Sequence, residues 1–294
     1  MKIIKFTVYI VIILIVILMM GCTLLYGPTK KLTEAPVKEP EAPKVRLVGR
    51  YNTPGVAEGV YVSGKYAYVA DYNNGLRVID ISTPSSPSEV GFYDTPGDAY
   101  GVYVSGSYAY VANWSSGLRV IDVSTPSSPV EVGSYDTPGE AKGVYISGSY
   151  TYIADGASGL RVIDVSTPIS PSEVGSYNTP GDAESVYISG NYAYVADGAS
   201  GLRVIDVSTS SSPSEVGSYD TSGYACGVYV SGNYAYVAAV GTFSIVDISE
   251  KNNPVRITYY NTPGDAVGVY VSGNYAYVAD GSGGLLIFDI SDFQ

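Results

Sequence analysis

One unit of roughly 40 residues is written into this chain six times, and no other feature narrows the fold as much. Ala57, Ala99, Ala141, Ala183, Ala225 and Ala266 mark the same point of each copy, with spacings of 42, 42, 42, 42 and 41 residues. Such self-similarity means a supersecondary unit that cannot cover its own apolar faces and stacks on its neighbours to do so. The second copy shows what the unit is. Residues 101–105 (GVYVS) and 108–112 (YAYVA) read as strands joined by Gly106-Ser107, a Gly-X pair suited to a hairpin turn. The polar stretch 113–117 turns the chain into a third strand over 118–123 (LRVIDV). Residues 124–129 (STPSSP) form a turn in which proline blocks continuation of the ladder, and 130–135 (VEVGSY) is the fourth strand.

Four short strands at this period make a β-propeller blade. The first three strands are apolar on both faces, whereas an open sheet leaves one face polar; a blade, sandwiched between two others, does not. The expected fold is therefore all-β, a six-bladed β-propeller of four-stranded repeats over residues 45–294. Closure can also be read. The last third-strand copy lies at 285–290, and the first fourth-strand copy, VRLVGRY at 45–51, precedes every first strand. The N-terminal strand 45–51 is thus expected to pair with the last blade and close the ring, leaving no open edge.

The third strands carry the sequence LRVID at 76–80, 118–122, 160–164 and 202–206, with SIVD at 244–247 and LIFD at 286–289 in the last two copies. With the flanking Ser-Thr-Pro and Tyr-Val-Ala-Asp elements, this repeat resembles the LVIVD family of bacterial and archaeal cell-surface β-propellers. The resemblance implies the propeller fold and a surface location. It brings no catalytic residues with it.

The N-terminus supports the same address. Residues 1–22 open with Lys2 and Lys5 and continue through an almost purely apolar stretch, residues 6–20, to Gly21-Cys22. The stretch is short for a spanning helix and near the upper limit for a signal-peptide core. It resembles a bacterial lipoprotein signal with Cys22 as the lipidated residue, although Met19 stands where such signals usually carry Leu; the alternative is an uncleaved membrane anchor. Either way the remainder is expected to be extracytoplasmic and membrane-anchored. Residues 23–44, rich in Pro, Lys, Glu and Ala, read as a disordered linker.

Composition removes several functions. Histidine is absent, so there is no Ser-His-Asp or Cys-His pair, no His-ligated zinc and no imidazole base. Cys22 and Cys226 form no CxxC pair. A formal net charge of −12 repels nucleic acid. No catalytic residue set is expected, and the chain reads as a binding module rather than an enzyme; a propeller hydrolase or lyase is the remaining reading, for which carboxylates and tyrosines are present but no convergent acid–base set stands out.

In a repeat protein, a residue present in every copy builds the blade, and a site breaks the symmetry. The Asp ending each third strand (Asp80, Asp122, Asp164, Asp206, Asp247, Asp289) is expected to accept backbone N–H groups of the following turn. The third-strand arginines Arg77, Arg119, Arg161 and Arg203 are expected to pair with carboxylates. The position after the second strand is Asp71, Asn113, Asp155, Asp197, Ala239 and Asp280. Asp71, Asp155, Asp197 and Asp280 could form a cation ring, with Ca2+ as the candidate ion; alternatively each caps its own loop. Symmetry breaks nearby. One position entering the first strand carries Glu58, Tyr100, Lys142, Glu184, Cys226 and Val267, and the position two before it carries Val56, Asp98, Glu140, Asp182, Tyr224 and Asp265. Tyr72 and Trp114 stand where copies three, four and six have glycine. Tyr72, Tyr100, Trp114 and Tyr224 are the candidate binding face, since aromatics anchor both protein and sugar contacts. The expected partner is a surface protein, with a glycan as the alternative.

Overall fold

The computed structural model describes residues 48–293. Expectations for residues 1–22, for lipidation at Cys22 and for the linker 23–44 lie outside the described residues. No helix among the described residues is long and apolar enough to cross a membrane.

Six antiparallel sheets follow one another along the chain. Blade 1 is β1 (Gly59–Ser63), β2 (Tyr66–Ala70), β3 (Leu76–Asp80) and β4 (Ser88–Tyr93); blade 2 is β5 (Gly101–Ser105), β6 (Tyr108–Ala112), β7 (Leu118–Asp122) and β8 (Val130–Tyr135). Blade 3 is β9 (Gly143–Ser147), β10 (Tyr150–Ala154), β11 (Leu160–Asp164) and β12 (Ser172–Tyr177); blade 4 is β13 (Ser185–Ser189), β14 (Tyr192–Ala196), β15 (Leu202–Asp206) and β16 (Ser214–Tyr219). Blade 5 has three strands, β17 (Ala225–Ser231), β18 (Tyr234–Asp247) and β19 (Val255–Asp265), and blade 6 has β20 (Gly268–Ser272), β21 (Tyr275–Ala279) and β22 (Leu285–Asp289). In blade 5 the expected second and third strands run together as β18. The Asp or Asn that turns the chain in the other blades is replaced there by Ala239, and the strand continues through irregular pairing at Val240–Thr242. In blades 1 to 4 the third and fourth strands pair through a one-residue bulge, as at Val78/Ile79 and Val120/Ile121, which increases the twist of the outer edge.

The apolar residues form layers between blades. Tyr68, Ala70, Leu76 and Val78 of blade 1 pack with Val102, Val104, Val111 and Ile121 of blade 2, and equivalent layers follow at each junction through blade 6. Leu76, Leu118, Leu160 and Leu202 are fully buried, each worth roughly 1.5–3 kcal/mol. Near the axis the first strands crowd together. A Cβ on Gly59 would stand 2.6 Å from the Tyr100 carbonyl oxygen, so the narrow end of the blade requires glycine there.

The expected closing strand is met on one side only. Tyr51 donates to Glu89 of blade 1 at 3.2 Å, as Tyr135 does to Glu173 and Tyr177 to Glu215. Gly49 presses on the Pro84 carbonyl as Gly91 presses on that of Pro126. Residues 48–51 thus stand against blade 1 as each fourth strand stands against the next blade. Among the described residues, however, β22 pairs with β21 alone, and residues 45–47 lie outside them. Val60 of blade 1 is 66% exposed where its equivalent Val102 is 8% exposed, so the junction between blades 6 and 1 is the one left uncovered.

Candidate functional site: the mouth of the propeller

The loops after the second strand and before the first strand share one end of each blade, tied by hydrogen bonds. Asp155 accepts the Thr137 hydroxyl, at 2.5 Å, and the Gly139 N–H, at 2.9 Å. Asp197 accepts the Thr179 hydroxyl and the Gly181 N–H in the same way, and Asp71 and Asp280 accept the N–H of Gly55 and Gly264. The Thr-Pro-Gly loop is therefore clasped by the aspartate of its own blade. All four aspartates are fully buried. Burial raises the carboxyls of Asp155 and Asp197 above their ordinary range, against the hydrogen bonds, which lower them. Of the two expectations for Asp71, Asp155, Asp197 and Asp280, these hydrogen bonds are those of loop capping, and no group of three or more potential metal ligands converges among the described residues.

The arginines extend the clasp. Arg161 lies with Nε 3.6 Å from Asp155, Nη1 3.6 Å from Glu173 and Nη2 2.8 Å from Asn178. Arg203 joins Asp197, Glu215 and Asp220 at 3.7, 3.6 and 3.4 Å. At the opposite end, the last Asp of each third strand accepts the N–H two residues on, as Asp122 does from Ser124 at 2.8 Å; the Ser124 hydroxyl and then this N–H hold its carboxyl below the usual range. These repeated groups are construction.

The unrepeated groups converge. Glu58, Tyr100, Lys142, Glu184, Cys226 and Val267 all line one cavity of about 520 Å³, floored by the starts of the first strands. Tyr72 meets the Tyr100 ring edge-on at 5.6 Å, and Tyr100 stacks on Trp114 at 4.7 Å and 24°. Lys142 Nζ stands 5.4 Å over the Trp114 ring and 2.6 Å from Glu184. Tyr224 donates to Glu184 at 2.6 Å and stands 3.2 Å from Asp182. The candidate residues Tyr72, Tyr100, Trp114 and Tyr224 thus belong to one chain of contacts running from blade 1 to blade 5. Burial first, then Tyr72 and Glu58, pushes the Tyr100 hydroxyl up to about 12. Burial likewise pushes the Cys226 thiol up to about 11, which leaves it a protonated, poor nucleophile at neutral pH.

Tyr72 and Trp114 are the non-glycine residues with positive φ among those described, at 47° and 46°. Gly156, Gly198 and Gly281 hold the same left-handed conformation in blades 3, 4 and 6. The turn needs that backbone, and only a residue without Cβ adopts it freely.

Two features escape a sequence reading. Lys142, Glu184 and Tyr224 come from three different blades, so their network depends on how the blades stand side by side; the only signal was that each breaks the repeat. The second is a belt of first-strand tyrosines. Tyr61, Tyr103, Tyr145, Tyr187, Tyr229 and Tyr270 contact one another in turn at centroid distances of 4.5 to 5.2 Å. Burial raises the hydroxyls of Tyr103, Tyr145 and Tyr187. In sequence each was one more aromatic in an alternating strand.

Comparison with known proteins gives the same architecture. The LVIVD repeat matches at residues 54–95, 96–137, 138–179, 180–221, 222–262 and 263–293. No curated protein matches the sequence. Among solved structures, the periplasmic gluconolactonase PpgL of Pseudomonas aeruginosa superposes with a TM-score of 0.71 at 16% identity, covering 82% of this chain and 83% of that one. BamB from Moraxella catarrhalis gives 0.59 at 16% identity over 84% and 87%. A protein from Lactobacillus plantarum gives 0.66 at 15% identity over 79% and 84%. At these identities the likeness is one of fold. With six repeats matched over most of its length, the chain belongs to the LVIVD repeat family.

Proposed function

We propose that this LVIVD-repeat propeller is a binding module, held at a membrane outside the cytoplasm, that engages a surface protein through the mouth of its funnel. One observation carries the reading. Blades 1 and 2 place Tyr72 and Trp114 in a left-handed turn that blades 3, 4 and 6 fill with glycine. A side chain in that conformation costs about 1–2 kcal/mol, and the turn itself forms without it. The two strained rings meet Tyr100 at the rim of a cavity, the arrangement of an aromatic contact anchor. The reading favours binding over catalysis because Glu184 is already engaged by Lys142 and Tyr224.

The test is capture of partners from a surface extract by the parent chain and by Trp114→Ala. A protein retained by the parent and lost by the variant supports the reading, and identical captures sink it. The tether is tested separately: Cys22→Ala should release the protein from the membrane fraction, and an unchanged fraction with an unprocessed N-terminus would mean a plain anchor. A second reading, glycan binding, draws on the stacked Tyr100–Trp114 pair beside carboxylates, since flat sugar faces also pack on such rings. A glycan array with the same variant separates the two.

A further inference from the structure

We propose that the group seated in the mouth is a cation, a lysine or arginine side chain carried by a basic segment of the partner; this rests on the protein-binding reading above. The mouth already holds one ammonium of its own. Lys142 stands over the Trp114 ring, 5.4 Å from its centroid, with Glu184 at 2.6 Å. An aromatic face and a carboxylate are the two partners that a desolvated cation needs, one through the ring quadrupole and the other through a charge-assisted hydrogen bond.

The other half of the mouth repeats these partners without the cation. Tyr72 and Tyr100 supply the rings, and the charges of Glu58 and Asp98 act on the Tyr100 hydroxyl. Glu58 lines the cavity and is exposed. Among the described residues neither Glu58 nor Asp98 has a cation within ion-pair distance. The aspartates below are buried in their own clasps and contribute no partner. An anionic ligand would be repelled by the two carboxylates, whereas a cation is attracted to both. Lys142, fixed by Glu184, turns away a second cation from its own half and so directs the incoming one to Glu58. The net charge of −12 draws basic segments toward the protein before contact.

The chain has a single tryptophan, Trp114, so its selectively excited emission reports from this mouth alone. The full-length protein in detergent is titrated with a lysine-rich peptide and with the same peptide acetylated on every Nζ. The lysine peptide should change the emission saturably and more weakly as salt is added. The acetylated peptide should bind at least about tenfold more weakly. Glu58→Gln combined with Asp98→Asn should weaken the lysine peptide roughly tenfold with an unchanged circular dichroism spectrum. Should the double variant unfold, Glu58→Gln alone serves, its side chain being exposed. Ile169→Ser, on an exposed turn that does not line the mouth, should retain binding. Equal affinity for both peptides overturns the cation while leaving a protein partner standing. No saturable change with either peptide overturns the inference, and a response to a neutral oligosaccharide instead would overturn the protein reading as well.

Discussion

Asp71, Asp155, Asp197 and Asp280 sit at the same end of the propeller as Glu58, Tyr100, Lys142 and Glu184, yet the two sets have opposite properties. The aspartates recur and are fully buried; each accepts a loop N–H of its own blade, and Asp155 and Asp197 also accept a threonine hydroxyl. The second set changes chemistry from blade to blade and lines a cavity, and Tyr100, Lys142 and Glu184 meet side chains of neighbouring blades. Carboxylates at one end of one fold are therefore scaffold or site according to what surrounds them. In a repeat protein, recurrence marks the groups that answer to the blade, and its failure marks those that answer to something outside.

The sharpest way to break this contrast is to remove a clasp. Asp155→Ala leaves the Thr137 hydroxyl, the Gly139 N–H and the Arg161 guanidinium without their carboxylate, and should destabilise the fold by about 3–5 kcal/mol. Asp155→Asn should cost far less, because blade 2 carries Asn113 at that point with its amide reaching Thr95 and Gly97. Urea denaturation measures both, and equal losses would deny the clasp its specificity. On the other side of the contrast, Trp114→Ala should weaken partner binding by about 1–4 kcal/mol while the melting temperature stays close to that of the parent. Gly198→Ala is not a neutral companion to it, since an added Cβ there would come within 2.7 Å of the Tyr224 ring. Ile169→Ser, on an exposed turn between the third and fourth strands, is the suitable control.

A smaller effect follows from pH. The folded Asp155 and Asp197 have carboxyls raised above 3.8 by burial. The native state then binds protons more tightly than the unfolded chain, and their ionisation opposes folding at neutral pH. That opposition is relieved as pH falls through their raised values toward 3.8. The Asp155→Asn, Asp197→Asn double variant lacks it. The stability of the parent relative to this variant should therefore rise between neutral pH and about pH 4, as read from urea midpoints at the two pH values. The lowered carboxyls of Asp122 and Asp164 act oppositely, losing their contribution only below 3.8, and both proteins share them. Smallest of all, Ile169→Ser should change neither binding nor stability beyond about 0.5 kcal/mol.

The blades were legible in the sequence because their causes are local. The YAYVA and LRVID runs, the Gly-Ser and Gly-Asn turns and the Ser-Thr-Pro stops each act within a few residues, and the 42-residue spacing repeats them. The strand limits follow those signals closely, except in blade 5, where loss of the turn aspartate at Ala239 let two strands merge into β18. The broken positions were also legible, as departures from a repeat. What they do together was not. Whether an aspartate after a second strand faces the axis or its own loop depends on where a Thr-Pro-Gly segment 16 to 18 residues earlier comes to rest. The sequence by itself determined six repeated propeller blades and the places where the repetition fails. Only the tertiary structure decided that Tyr100 stacks on Trp114, that Lys142 of blade 3 meets Glu184 of blade 4, and that the tyrosines of the first strands form a belt. The last two join residues about 42 positions apart on neighbouring blades, and side-chain attraction over a few ångströms acts only once the packing of whole blades has set the distance.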